Sequence, residues 1–355
     1  MDIRYFSDKV AEWYLANKRD LPWRETTDPY KVWLSEIILQ QTRVKQGLPY
    51  YFKFLEAFPA VSDLAKASEE SVLRLWQGLG YYTRARNLHK CAKVVVSDYR
   101  GIFPTDYKTL LSLPGIGEYT AAAIASFSSR EVVAVVDGNV NRVLSRVFGI
   151  DKEINSPEGK KVFQTLANQL ISRQSPDIHN QGLMEFGALH CVPRNPLCSS
   201  CQFQSNCFAA LNNLQMELPR KTKAAQARKR YFYYLVIQKG KTLLMQKRIG
   251  KDIWHGLYDF YLIEKTKPLS STKLLDTITD HLNHSLQPAS IEISESYKHV
   301  LTHQHIHARF AIIKGQNFPA PKDKNLKFYT FDKIYDLPKP VLINRFLSDY
   351  KNFCS

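Results

Sequence analysis

Residues 111–147 read LSLPGIGEYTAAAIASFSSREVVAVVDGNVNRVLSRV, and the reading of this stretch decides the fold. Leu113-Pro114-Gly115-Ile116-Gly117 is a glycine-bearing turn between two helical patterns. Glycine accepts backbone conformations closed to other residues and leaves the neighbouring amides unobstructed. The amides of Gly115 and Gly117 stand at the start of the following helix, where a phosphate is favoured. A structural helix–turn–helix corner is the competing reading. Further on, the apolar run Val132–Val136 stops abruptly at Asp137-Gly138-Asn139. Asp137 precedes a helical stripe of Val140, Val143, Leu144 and Val147, so it is a natural N-cap as well as a candidate carboxylate. On that helix Arg142 and Arg146 are four apart, which suits a phosphate track or plain solvation.

Upstream, residues 2–17 form an amphipathic helix carrying acids, which excludes a signal peptide. Asp28-Pro29 then starts a second helix, Asp as N-cap and Pro at the first helical position. Within it Glu36 sits among Trp33, Leu34, Ile37, Ile38 and Leu39. Burial disfavours a charged carboxylate, so this acid should hold its proton unusually well unless it lies on the wet face. Gly78-Leu79-Gly80-Tyr81-Tyr82-Thr83-Arg84-Ala85-Arg86 is a loop whose aromatics could wedge into a base stack, or belong to the core. Thr105 is expected to cap the short helix that leads into the opening stretch.

Downstream, Cys191, Cys198, Cys201 and Cys207 follow the spacing Cys-x6-Cys-x2-Cys-x5-Cys, while Cys91 and Cys354 stand alone as free thiols. A structural zinc site ordinarily uses two Cys-x2-Cys pairs, and only one is present. Four thiolates in one tight loop suit an iron–sulfur cubane better. Arg194, within that loop, could meet a phosphate. A polar, strongly basic linker spans 216–229. The pattern then turns to strands: a hairpin through 231–238 and 242–247, continued by 254–260, a helix at 272–282, strands within 299–313 and 326–331, and a last helix after Pro340. The division is therefore a helical part, 1–215, the linker, and an α+β part, 230–355. His303, His305 and His307 alternate as on one strand face, but no acid or cysteine accompanies them to suggest a metal.

The chain's 355 residues suffice for two domains, and its net charge of +16 points to a polyanion, nucleic acid first. No apolar run is long enough to span a membrane. The expected location is the cytoplasm, with nucleoid association if the source is bacterial.

Together the Gly-containing turn, the aspartate after the valine run and the four-cysteine spacing resemble the helix-hairpin-helix DNA glycosylases of the endonuclease III superfamily. Ser35-Glu36-Ile37-Ile38-Leu39-Gln40-Gln41-Thr42, Gly78-Leu79-Gly80-Tyr81-Tyr82 and Val136-Asp137-Gly138-Asn139-Val140 are similar to the MutY-type adenine glycosylases among them. The resemblance extends into the C-terminal part, which looks like a Nudix fold without the glutamate-rich hydrolase box. It implies a mostly α N-terminal domain, a six-helix barrel with an iron–sulfur subdomain, and a C-terminal α+β Nudix-like domain.

The resemblance also implies an activity: removal, by a monomer, of adenine mispaired with 8-oxoguanine or guanine in double-stranded DNA. Glu36 would protonate adenine N7 and ionised Asp137 would stabilise the sugar cation or bond to it transiently, two carboxyls with pKa values pushed apart. Tyr119 and Asn139 would flank them. Bifunctional relatives carry a lysine where Tyr119 stands, so a monofunctional enzyme that leaves an abasic site is expected. Trp23, Arg24 and Gln181 would contact the extruded adenine, Gln41 and Tyr81 would fill or wedge the duplex, and Thr42 and Leu79 would lie near the oxidised guanine. Gly115 and Gly117 would hold the backbone, and Cys191, Cys198, Cys201 and Cys207 a [4Fe-4S] cluster. Leu301-Thr302-His303 stands where many relatives have Phe-Ser-His, keeping the hydroxyl and imidazole of Thr302 and His303 but not the aromatic ring. A glycosylase/lyase acting on oxidised pyrimidines and a non-enzymatic iron–sulfur DNA-binding protein are the rival readings.

Overall fold

The computed structural model of the protein describes residues 2–222, 226–281, 291–315 and 325–351. Cys354, read above as a free thiol, lies outside them, as does Leu282, the last residue of the helix expected at 272–282. In chain order the helices are α1 (Ile3–Asn17), α2 (Pro29–Leu39), α3 (Val44–Ala57), α4 (Val61–Lys66), α5 (Glu69–Leu75) and α6 (Thr83–Asp98). Then follow α7 (Tyr107–Leu111), α8 (Glu118–Ser129), α9 (Gly138–Phe148), α10 (Pro157–Leu170), α11 (Pro176–Leu189) and the short α12 (Phe208–Leu211). After these come strands β1 (Arg228–Lys239), β2 (Thr242–Lys247), β3 (Tyr258–Asp259) and β4 (Tyr261–Lys265), then helix α13 (Ser271–His281). Strands β5 (Ile291–Ile293), β6 (Tyr297–Leu301), β7 (Gln304–Lys314) and β8 (Leu326–Thr330) precede α14 (Phe331–Asp336) and α15 (Val341–Lys351). No described helix is long and apolar enough to cross a membrane.

The chain forms two compact units: Met1–Lys66 with Asn87–Lys223, and Ala67–Arg86 with Ala224–Ser355. The first is helical and starts its helices as local chemistry dictates. Asp28 accepts from the Tyr30 N–H with Pro29 behind it, and Ser156 accepts from the Gly159 N–H with Pro157 behind it. Asp106, not Thr105, caps α7, because its carboxylate accepts the Thr109 N–H at 2.9 Å. The stripe expected on α9 is buried in full and packs with Phe6, Val10, Phe163, Phe186 and Phe203. On α8 the run from Ala121 to Ala125 is buried, so α2 comes close enough for the Gln40 amide to donate to the Thr120 hydroxyl at 3.1 Å.

The second unit is built on an eight-stranded mixed sheet. Central β1 runs parallel to β7 and antiparallel to β4 and β2, and β7 carries β5 and β6 antiparallel beside it. Helix α13 covers one face through Leu274 and Ile278, against Leu235, Ile263, Ala311 and Ile313. On the other face Phe310 stacks on Phe346 of α15 with centroids 3.9 Å apart. Two expectations fail here. Trp254 is no strand residue but takes a positive φ of 63° in a loop, and His303 sits in the β6–β7 turn, leaving only His305 and His307 on the strand. Residues 67–86 belong to this unit through side-chain ties: the Tyr258 hydroxyl donates to Glu70, the Lys339 N–H to Gln77, and Arg86 to the His255 carbonyl.

Gly187 on α11 marks the tightest approach to α9, since a Cβ there would stand 2.7 Å from Asn139 Cβ and 3.0 Å from its carbonyl oxygen. Gly187→Ala should therefore destabilise the fold by overpacking, roughly 1–3 kcal/mol in denaturant unfolding; a change below about 0.5 kcal/mol would show that the helices yield without strain.

Candidate active site

Glu36 lies on the inner side of α2 and is only 6% exposed. The Tyr119 hydroxyl, from the second residue of α8, donates to its Oε2 at 2.5 Å. Burial raises the Glu36 pKa to about 7, against the pull of the Tyr119 hydrogen bond; nearby Asp137 adds to the rise and Arg24 subtracts. The wet-face alternative for Glu36 is excluded. Tyr119, half-buried and beside two carboxyls, is held well above its ordinary pKa by desolvation and those charges, so it stays a hydroxyl donor.

Asp137 caps α9 and also lines the cavity that holds Glu36. Its Oδ1 accepts the Val140 N–H at 2.7 Å as the N-cap of α9, and its Oδ2 accepts the Asn139 amide at 2.8 Å. Burial raises its pKa too, but the Val140 N–H, Asn139 and the Arg142 charge all pull it back. The two carboxyls thus shift in the same direction rather than apart; what distinguishes them is that Asp137 has three partners favouring its charge. Asn139 in turn accepts from Arg142 at 2.8 Å.

Arg142 and Arg146 are neither a phosphate track nor a solvated pair. Arg142 donates to the carbonyls of Gly187 and Cys191. Arg146, 2% exposed, donates to the carbonyls of Val192, Pro193 and Leu218 and to Cys191 Sγ. The carbonyls of a loop without regular structure need donors, and the two guanidinium groups supply them. They tie the first cysteine of the four-cysteine motif to α9.

Glu36, Tyr119, Asp137, Asn139 and Arg142 share one cavity of about 440 Å³ with Trp23, Arg24, Thr42 and Gln181. The sequence missed Arg19, Tyr14 and Glu185 beside it. Arg24 and Arg19 both grip Glu185, Arg24 through two bonds of 2.9 and 2.8 Å. Burial would raise the Glu185 pKa, but these bonds hold it at about 2. Arg24 is therefore largely spent on Glu185 and reaches the cavity as a wall. The Tyr14 hydroxyl donates to Gln181 Oε1 at 3.0 Å, which fixes that amide. No sequence signal joins Arg19 to Glu185, since 166 residues separate them.

Other expected residues occupy informative backbone. Gly115 takes φ 77°, and a Cβ there would stand 2.6 Å from Asn87 Cβ, so the turn needs glycine. Gly117 is the N-cap of α8 and supplies no side-chain bond to the free amides. Gln41 and Tyr81 are exposed non-glycine residues at φ 54° and 48°. Such conformations are sparsely populated and gather at working surfaces. Leu79 is buried, unlike Tyr81. In the second unit Tyr81 and Thr302 share a hydroxyl–hydroxyl hydrogen bond, and Thr302-His303 forms the exposed two-residue turn of the β6–β7 hairpin.

Cys191, Cys198, Cys201 and Cys207 line one cavity, with Arg146 and His190. Among the described residues, no three His, Cys, Asp or Glu side chains stand close enough to share a single ion. The donor set suits a multi-iron cluster by its chemistry: four thiols face a common space, the Phe203 N–H and Arg146 already point at sulfur, and buried His190 Nε2 has no partner among the described residues. Arg194 is exposed and Cys91 buried and free.

Comparison with known proteins accords with this geometry. Residues 34–170 match the HhH-GPD superfamily of base excision DNA repair proteins, and residues 232–349 match the NUDIX domain. The chain shares a fold with a thermostable thymine-DNA glycosylase (32% identity, TM-score 0.55, 59% of this chain and 96% of that one) and with endonuclease III trapped on DNA (22%, TM-score 0.53, 60% and 97%). The class is thus a helix-hairpin-helix base-excision repair fold joined to a Nudix-like domain. It is 34% identical to the adenine DNA glycosylase of Buchnera aphidicola subsp. Baizongia pistaciae over 99% of both chains. It is 36% identical to that of Mus musculus over 73% of this chain and 60% of the other. The chain belongs to the adenine DNA glycosylase family.

A buried acid whose folded pKa exceeds its ordinary 4.5 contributes stability below that value and loses it as pH rises through about 7. Glu36→Gln cannot ionise, so it should gain on the wild type between about pH 5 and pH 8, by up to roughly 3 kcal/mol in denaturant unfolding. A difference that stays flat with pH would refute the raised pKa.

Proposed function

We propose that the chain removes adenine mispaired with 8-oxoguanine or guanine from double-stranded DNA, as a monofunctional glycosylase that leaves an abasic site. Membership of the adenine DNA glycosylase family establishes the coarser activity, a DNA N-glycosylase of base excision repair. The observation that carries the finer reading is the cavity in which a protonated-leaning Glu36, a tyrosine at position 119 and a hydrogen-bonded Asp137 converge.

In this reading the duplex opens at the mispair, where extrusion is least costly, and the adenine enters the cavity beside Trp23 and Gln181. Glu36 gives its proton to adenine N7, so the leaving group departs neutral as the C1′–N9 bond breaks. Asp137 faces the positive charge that develops on the sugar, and Asn139 with the Val140 N–H keeps it oriented. Water then adds to the sugar cation at C1′ and its proton returns to the Glu36 carboxylate, which restores the acid. Tyr119 positions the acid and, having no amine, cannot form the Schiff base that a lyase needs.

The amides of Gly115 and Gly117 hold a phosphate at the open start of α8. Gln41 and Tyr81, both at positive φ, fill or wedge the opened duplex, and Thr42 with buried Leu79 lies near the oxidised guanine. Thr302 and His303, at a hairpin tip, meet the oxidised guanine. Cys191, Cys198, Cys201 and Cys207 would hold a [4Fe-4S] cluster, which when bound supplies a rigid staple for this loop. The division by chain order, 1–215, 216–229 and 230–355, goes with this reading, except that residues 67–86 pack in the second compact unit and β1 already begins at Arg228.

The test offers the protein a duplex with adenine opposite 8-oxoguanine, beside A:G, A:T and thymine-glycol duplexes, with and without alkali. Strand cleavage should require both an adenine mispair and alkali, and borohydride should trap little adduct. Glu36→Gln should slow single-turnover excision about 10²–10⁴-fold while DNA binding persists. Cleavage at thymine glycol without alkali would replace this reading with a glycosylase/lyase.

A further inference from the structure

The described part of the second unit carries a basic surface that the proposed chemistry does not use. Strand register places Lys229 and Tyr231 of β1 beside His305 and His307 of β7, Lys298 and Val300 of β6 opposite the same histidines, and Lys265 of β4 opposite Tyr231. Alternation along each strand puts these side chains on one face of the sheet. The stacking of Tyr231 on His307, with centroids 5.3 Å apart at 21°, agrees with that register. Helix α13 lies over this face farther along β1: the Leu269 N–H just before it donates to the Tyr233 hydroxyl, and Arg309 donates to the Ser294 carbonyl and to the Ser271 hydroxyl. The end toward Lys229 is left open, with Lys229, Lys298 and Val300 exposed.

Its charge is uncompensated for a structural reason. The neighbouring acids Asp252 and Glu264 are drawn to the opposite face by buried Arg230, which binds both carboxylates with bonds of 2.6 to 2.9 Å. Arg248 adds a further bond to Asp252. Among the described residues, Lys229, Lys265 and Lys298 take part in no ion pair. Three ammonium groups around a stacked ring pair, with no ion-pair partner among the described residues, complement a sugar–phosphate backbone. Lys298 lies three residues before Leu301 and His305 two after His303, so the surface runs down from the hairpin tip within about 13 Å.

We infer that this open sheet end is a second contact for the DNA backbone, holding phosphates that flank the base read by Thr302-His303. The inference rests on the proposed function for its ligand, and its role is affinity rather than chemistry.

The full chain with Lys229→Glu and Lys298→Glu together tests it. The control, Lys239→Glu with Lys314→Glu, alters net charge equally on β1 and β7, about 23 to 33 Å along the sheet from the test pair. Binding to an undamaged duplex is measured across a salt series, and excision on an adenine:8-oxoguanine duplex at saturating enzyme. Each lost phosphate contact removes about 0.9 from the slope of log affinity against log salt. The test pair should lower that slope by about 2 relative to the control and leave saturated excision unchanged. A slope equal to the control's overturns the inference. If the wild type itself binds duplex without a salt-dependent slope or releases no adenine, it is the proposed function that fails.

Discussion

Burial of one carboxyl group is the constraint on which the site depends. Glu36 sits in α2 among Trp33, Leu34, Ile37 and Ile38, where an ionised form has little solvation. Nothing in that helix repairs the loss; among the described residues the carboxyl's one hydrogen bond comes from the Tyr119 hydroxyl. A proton near neutral pH is the result, and a purine leaving group needs such a proton. The α2–α8 contact exists because α8 is alanine-rich on its buried side. Small residues bring Tyr119 to the acid, and a bulkier α8 would hold it away.

The second carboxyl is governed differently. Asp137 ends an apolar run and begins α9, so its place is fixed by helix capping before any chemistry is considered. The cap bond, Asn139 and the Arg142 charge all favour its ionised form, in the same low-dielectric setting that raises Glu36. Arg142 and Arg146 extend this order outward by satisfying carbonyls around Cys191. The same two arginines thereby hold the aspartate's helix and the cysteine loop in one arrangement, a buried polar network in which each guanidinium is matched.

Local signals made much of this legible. Asp28-Pro29, the stripe on α9, the glycine turn and the cysteine spacing each act within a few residues, and each element formed where its chemistry required. Gly115 illustrates the limit of that legibility: the turn asked for glycine, but the reason Asn87 forbids a Cβ is tertiary. Arg142 and Arg146 were misread because a charged pair at helical spacing ordinarily faces water, and only the unpaired carbonyls of a distant loop reverse that preference. The Arg19–Glu185–Arg24 group left no trace in the sequence, since its members come from opposite ends of the helical unit. Asp106 took the cap expected of Thr105 because the helix starts one residue later than read.

The site turns on the proton of Glu36, whose titration can be observed directly. With the glutamate side-chain carboxyl carbons isotopically labelled and Glu36→Gln used to assign the resonance, the signal should titrate near pH 7 in the folded protein. A midpoint at the ordinary 4.5 would mean the carboxyl is charged at neutral pH and cannot be the acid that releases the base.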